Sequence, residues 1–180
     1  MRVIAGLARG YRLKAPKGTD TRPTSDRVKE AIFNVLSSKV INSKVLDMFA
    51  GTGGMGIEAL SRGANKAVFI EKRRQTWIVL KENLVHTGLF ALAEIYLSDF
   101  SHVLPRLEDR FDLIFLDPPY GKGYIQPACL LVMKHVLLNS GGIIVIETAS
   151  KEKELPELAN VNLVKESIYG DTAVLYYQFN

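Results

Sequence analysis

Apolar residues fall into two rhythms along the chain. Val45-Leu46-Asp47-Met48-Phe49, Ala67-Val68-Phe69-Ile70-Glu71, Ala93 to Leu97, Phe111 to Leu116 and Ile143-Ile144-Val145-Ile146 are short runs rich in apolar side chains. Runs of this kind are the pattern of strands buried on both faces. Between them lie stretches that read as helices: Met55 to Arg62, Arg73 to Thr87, Phe100 to Leu107 and Tyr124 to Leu138. Gly63 and Gly88 stop the first two, and Gly141-Gly142 follows the last. Strands alternating with helices predict a mostly parallel sheet covered on both faces, an α/β fold.

The two ends of the chain read differently. Val3 to Ala15 reads as two short strands around a turn near Ala8-Arg9-Gly10. Thr24-Ser25-Asp26 opens a helix with Ser25 as its cap, and Val28, Ala31, Ile32, Val35 and Leu36 form its apolar face. At the other end, Val161 to Ile168 and Ala173 to Phe179 flank Tyr169-Gly170-Asp171, which predicts an antiparallel hairpin added to the sheet. The division expected is an extension over 1–24 and one globular unit over 25–180.

Composition adds little to this, and charge adds something. With 180 residues, 47% hydrophobic and 23% charged, the chain can bury a core without staples. Its single cysteine, Cys129, forms no internal disulfide. No apolar run has the length of a signal peptide or membrane span, so a cytoplasmic protein is expected. The net charge is +4, and its distribution is uneven: Arg2, Arg9, Arg12, Lys14, Lys17 and Arg22 precede the first helix against Asp20 alone. A cationic surface of this kind attracts phosphates, or is simply a solvated hairpin.

The chemistry concentrates at the ends of strands. Asp47-Met48-Phe49-Ala50-Gly51-Thr52-Gly53-Gly54-Met55-Gly56 lies between the first parallel strand and its helix. Gly51, Gly53 and Gly56 have the spacing that brings backbone close to a ligand at a helix start, and equally suit a plain tight turn. Glu71 ends the next strand about twenty residues on, where an acid can accept both hydroxyls of a ribose. Asp47 would repel a pyrophosphate, and it suits a ligand that carries an amino group. Asp99, just past the third strand, could accept from an adenine amino group or cap a helix. Asp117-Pro118-Pro119-Tyr120 follows the fourth strand. The prolines remove two N–H donors and stiffen the loop. An acid, a rigid carbonyl and an aromatic ring then stand together, a set that can accept from an exocyclic base amine and stack on a base turned out of its helix.

These residues carry a resemblance. The start Met1-Arg2-Val3-Ile4-Ala5-Gly6, the stretch Thr21 to Asn34, Leu46-Asp47-Met48-Phe49-Ala50-Gly51-Thr52-Gly53, Glu58 to Ala64, Glu71-Lys72, Asp117 to Tyr120 and Tyr169-Gly170-Asp171-Thr172 resemble the bacterial 16S ribosomal RNA guanine-N2 methyltransferases over nearly the whole length. The resemblance implies a class I S-adenosylmethionine-dependent methyltransferase, Rossmann-like, with a seven-stranded mixed sheet and an amino-terminal β-hairpin. It implies that Asp47, Phe49, Ala50, Gly51, Thr52, Gly53, Glu71, Lys72, Asp99 and Phe100 hold the methyl donor and that Arg22 and Thr24 close over it. It further implies catalysis by Asp117, Pro118, Pro119 and Tyr120, and contact with RNA by Arg2, Arg9, Arg12, Lys14 and Lys17. A monomer acting on ribosomal RNA or an assembling small subunit is expected.

The same tetrapeptide serves DNA adenine-N6 methylation, for which no separate recognition domain is visible. Nicotinamide chemistry and a non-catalytic RNA-binding module are further alternatives, the first opposed by Asp47. His86, His102 and His135 share no ligand spacing, so no metal is expected. Trp77 and Cys129 read as core residues.

Overall fold

The computed structural model describes residues 1–16, 25–151, 156–158 and 160–180. Among these, strands β1 (Lys44–Asp47), β2 (Lys66–Glu71), β3 (Ala93–Leu97), β4 (Phe111–Leu116), β5 (Leu138–Ala149), β6 (Val161–Tyr169) and β7 (Thr172–Phe179) form one seven-stranded sheet in the order β3-β2-β1-β4-β5-β7-β6. The first five strands run parallel. β7 lies antiparallel between β5 and β6. Five helices cover the sheet: α1 (Asp26–Leu36), α2 (Gly54–Ser61), α3 (Arg74–His86), α4 (Phe100–Val103) and α5 (Ile125–Lys134). The chain steps outward from β1 to β3, then crosses back to β4 on the other side of β1. The switch point between β1 and β4 is where open α/β sheets bind ligands.

Strand alternation explains the continuous apolar runs. Val45, Phe69, Phe115 and Val145 face Ile32 and Phe33 of α1, Ile57 and Leu60 of α2, and Leu80 and Leu84 of α3. Their neighbours Leu46, Val68, Ile114 and Ile144 face Val103 of α4 and Ala128, Cys129 and Val132 of α5. Successive side chains point to opposite faces, and both faces are covered, so the central positions are apolar in unbroken runs. Ser25 caps α1 as expected, accepting from the Val28 N–H at 3.2 Å.

Two elements differ from the sequence reading. The helix expected to reach Leu138 ends at Lys134, and β5 begins at Leu138. Val136 takes a left-handed turn, Phe111 N–H donates to Leu137 at 2.8 Å, and Leu138 pairs with Phe111. Pairing with β4 overrides the helical spacing, and Gly141-Gly142 falls inside β5. At the amino terminus, the two short strands reduce to a bridge between Arg2 and Arg12, with Val3 N–H donating to Tyr11 at 2.9 Å. The reason is competition for N–H groups. Ile4 and Ala5 donate to the Glu58 carboxylate at 2.8 and 3.0 Å, Leu7 to the Ser61 carbonyl and Ala8 to its hydroxyl. The segment is docked on α2. Gly6 permits this, because a Cβ there would lie 1.7 Å from the Ser61 carbonyl oxygen.

Glu58 is fully buried, as is Lys29 of α1, whose ammonium lies 3.2 Å away. Arg62 donates to the same carboxylate at 2.7 Å, and Lys29 also donates to the Arg2 carbonyl. Burial pulls the Lys29 pKa down, with Glu58 opposing it. Glu58→Ala would leave that ammonium buried without its partner. We expect a loss of about 3–5 kcal/mol in urea unfolding. Glu58→Gln keeps the volume and an acceptor and should lose less in the same experiment.

Candidate active site

Three acids stand at the carboxyl edge beside the switch point. Asp47 ends β1, Glu71 ends β2 and Asp117 follows β4. Asp47 pairs in register with Phe69 and Phe115, so Glu71 and Asp117 each lie two residues further on, one on either side. The glycine loop leaves β1 anchored to both neighbours: Met48 N–H donates to Phe115 and Ala50 N–H to Ile70. Gly53 is left-handed at φ 91° and precedes α2. A Cβ on Gly53 would lie 2.6 Å from a Leu80 methyl, and one on Gly56 would lie 2.2 Å from the Phe69 ring. Packing therefore requires glycine at both places, and at Gly53 the left-handed backbone favours it as well.

The two buried acids hold the ends of this loop. Asp47 accepts from Gly56 N–H at 2.9 Å, and Glu71 accepts from the backbone of Gly51, Lys72 and Arg73. Burial pushes the Asp47 pKa up to about 7, the Gly56 bond opposes this, and repulsion from Glu71 adds to it. Burial also raises Glu71, against its backbone donors. Such charges are costly to bury without a cation or N–H donors.

The other expected donor-site residues gather nearby. Asp99 caps α4 by accepting from Ser101 N–H at 3.0 Å, and its second oxygen pairs with Lys72 at 3.0 Å. Burial works to raise its pKa, and the bonds from Ser101 and Lys72 overcome that and hold it low. Phe49 packs on Phe100 with ring centroids 5.2 Å apart, and both meet Tyr124 at 5.9 and 6.1 Å. Thr52 is held by its carbonyl, which accepts from the Asn83 amide at 2.9 Å. Arg22 and Thr24 lie outside the described residues.

In the tetrapeptide, Pro118 is buried, Asp117 half-buried, and Pro119 and Tyr120 exposed. The Tyr120 hydroxyl reaches Glu147 at 3.3 Å and Thr172 at 3.5 Å. Burial first, then the nearby carboxylates, push its pKa up to about 12. Of the basic residues expected to meet RNA, Arg2 pairs with Asp26 at 3.2 Å and Lys14 with Glu82 at 2.9 Å. Arg9 and Arg12 are exposed, with no ion pair among the described residues. Lys17 lies outside the described residues.

Sequence reasoning gave no role in the site to Asn83, Tyr124 and Glu147, and it named Thr172 only within the motif Tyr169-Gly170-Asp171-Thr172. Glu147 had a signal: it follows the apolar run 143–146 as Glu71 ends its own strand. Trp77 is not a core residue. It is half-buried under the Lys81 ammonium, 5.8 Å from its ring centre, and lines a surface groove with Ile78 and Val85. Cys129 is fully buried, as expected.

The order of the strands, with β7 turned against β5, makes this a class I S-adenosylmethionine-dependent methyltransferase fold. The chain matches the family model described as Conserved hypothetical protein 95 over residues 1–178, and it belongs to that family. It is 39% identical to the Bacillus subtilis protein YlbH, over 99% of this chain and 98% of that relative. It is 37% identical to the Haemophilus influenzae protein named Ribosomal RNA small subunit methyltransferase D, over 99% of this chain and 93% of the relative. Among solved structures, Escherichia coli yhhF superposes with a TM-score of 0.90 at 34% identity, covering 100% of this chain and 98% of its own.

The raised pKa of Asp47 has a consequence for stability. Unfolded, the carboxyl loses its proton near 3.8, and folded it keeps it to about 7. Between these values the folded state binds more protons, so this group's contribution to stability falls as pH rises through that window. Asp47→Asn should flatten the decline and gain up to about 4 kcal/mol over wild type above pH 7. Urea unfolding at a series of pH values checks this, and parallel curves for the two proteins would refute it.

Proposed function

We propose that the protein transfers a methyl group from S-adenosylmethionine to the exocyclic N2 amine of a guanine in 16S ribosomal RNA, in the cytoplasm, within an assembling small subunit. The observation that carries this reading is Asp117-Pro118-Pro119-Tyr120 directly beyond β4, beside the strand that leads into the acid-held glycine loop. The name of the Haemophilus influenzae relative supports ribosomal RNA as the substrate.

The donor-site residues suit this cofactor. Two buried carboxylates disfavour a pyrophosphate and favour an ammonium, a sulfonium and ribose hydroxyls. Asp47 and the loop 50–53 hold the amino-acid end, Glu71 the ribose and Asp99 the adenine amine. Lys72 steadies Asp99, Phe49 and Phe100 supply an apolar wall, and Arg22 and Thr24 close over the site. When bound, the donor supplies an electrophilic methyl carbon on a cationic sulfur.

The chain's own part is positioning and charge. An exocyclic base amine is a weak nucleophile, because its lone pair is delocalised into the ring. Asp117 and the Pro118 carbonyl accept from its N–H groups, raise electron density on nitrogen and stabilise the positive charge that develops. Pro119 stiffens the loop and Tyr120 stacks on the extruded base. Arg2, Arg9, Arg12, Lys14 and Lys17, on the extension 1–24, contact RNA phosphates, and the protein acts as a monomer.

Asp117→Ala should lower methyl transfer by about 10²–10³-fold, the scale for loss of one transition-state hydrogen-bond partner. Donor affinity, read by calorimetry, should persist. Labelled donor offered in parallel to small subunits, free 16S RNA and DNA tests the substrate. Transfer to DNA adenine alone would overturn the reading, as would full activity of the variant.

A further inference from the structure

We propose that Glu147 and Thr172 are positioning residues that hold the Tyr120 ring through its hydroxyl and so fix the surface on which the target base stacks. This rests on the proposed function, in which Tyr120 is that surface.

The topology brings the three residues together. Leu116 pairs in register with Ile146, so Asp117, just past β4, and Glu147, near the carboxyl end of β5, stand side by side. Because β7 runs antiparallel to β5, its first residue, Thr172, pairs with Ala149 at the carboxyl end of β5. A parallel β7 would put Thr172 at the far edge. The turn before it is pinned there too: Gly170 is left-handed, and Ser150 N–H donates to the Asp171 carbonyl at 2.8 Å. The turn Tyr169 to Thr172 thus touches the tetrapeptide despite lying some fifty residues away.

The protons have one arrangement. A tyrosine has a single O–H. Donated to Glu147 at 3.3 Å, it leaves the oxygen to accept from Thr172 at 3.5 Å. Glu147 is only 8% exposed, so this acceptor stands away from water. The hydroxyl keeps its proton well above neutral pH, which preserves the donor.

The loop needs such a tether. Pro118 and Pro119 stiffen it on one side of Tyr120, but Gly121 and Gly123, both left-handed, follow on the other. The ring is 45% exposed, and packing alone covers only part of it. Two long hydrogen bonds at its tip decide where its face points.

A double-mutant cycle on Tyr120→Phe and Glu147→Ala tests this, with kcat/KM for small subunits as the readout. Glu147→Ala should cost about five- to tenfold in the wild-type background and less than about twofold in Tyr120→Phe. Glu147→Gln, which keeps an acceptor, should recover most of the loss, and Thr172→Val should cost about two- to threefold. Donor affinity should not change in any of the Glu147 or Thr172 variants. An equal loss from Glu147→Ala with and without the hydroxyl overturns the tether. Tyr120→Ala separates the two ideas. If it is as active as wild type, stacking by Tyr120 falls and the tether with it. If it is strongly impaired while the cycle is additive, only the tether falls.

Discussion

The Glu58 carboxylate is the constraint on which the rest of the architecture rests. A buried charge survives only when its acceptor sites are filled. Two carboxylate oxygens offer about four such sites, and Ile4 N–H, Ala5 N–H, Lys29 and Arg62 supply donors to them. These donors come from three places: the amino-terminal segment, α1 and the end of α2. Bonds from Leu7 and Ala8 to Ser61 and from Lys29 to the Arg2 carbonyl join the same parts, with Glu58 at their centre. The helix that carries Glu58 also begins with the glycine loop. The geometry of the glycine loop therefore depends on an ion pair buried a full turn away from it.

The amino-terminal segment is fixed a second time, further along. Asn83 of α3 accepts from Lys14 N–H at 2.8 Å and donates to the Lys14 carbonyl at 3.1 Å, imitating a strand partner. The same amide group donates to the Thr52 carbonyl in the glycine loop. One fully buried amide thus joins the basic segment to the loop. In the proposed function, the part of the chain that meets RNA and the part that holds the donor move as one body. Ordering either surface lowers the entropy cost of ordering the other, which is a physical route to coupled binding.

Legibility of the sequence followed the locality of the forces. β3 and β4 have the boundaries read from their apolar runs, because flanking polar residues mark where burial ends. The Ser25 cap was readable because it is a contact across three residues. β5 was read too short, since Leu138 joins it through pairing with Phe111, about 27 residues away. The amino-terminal strands reduced to a bridge because their N–H groups found Glu58 and Ser61, which no local rule anticipates. The site divides in the same way. Asp47, Glu71 and Asp117 announce themselves as acids at strand ends. Glu147 obeys the same rule, but a run of apolar residues bounded by an acid looks like ordinary strand termination until topology sets it beside Tyr120. Thr172 and Asn83 have no signal within reach of their own sequence neighbours.

The four acids at this edge, Glu71, Asp47, Asp117 and Glu147, lie at or near the carboxyl ends of β2, β1, β4 and β5, which are neighbours in the sheet. Such a row is electrostatically strained: Asp47 is pushed to about 7 by burial, with Glu71 adding to the effect. A cationic ligand beside it reverses the balance, because its charge replaces the solvation that burial removed. In the proposed function, the strain would favour a donor with a cationic sulfur over a product in which that sulfur is a neutral thioether. The proposed ribose and adenine contacts would be common to both and could not discriminate. The acids at the strand ends therefore do more than shape a pocket. In the proposed function, they would bias the edge towards the cationic donor and weaken its hold on the neutral product.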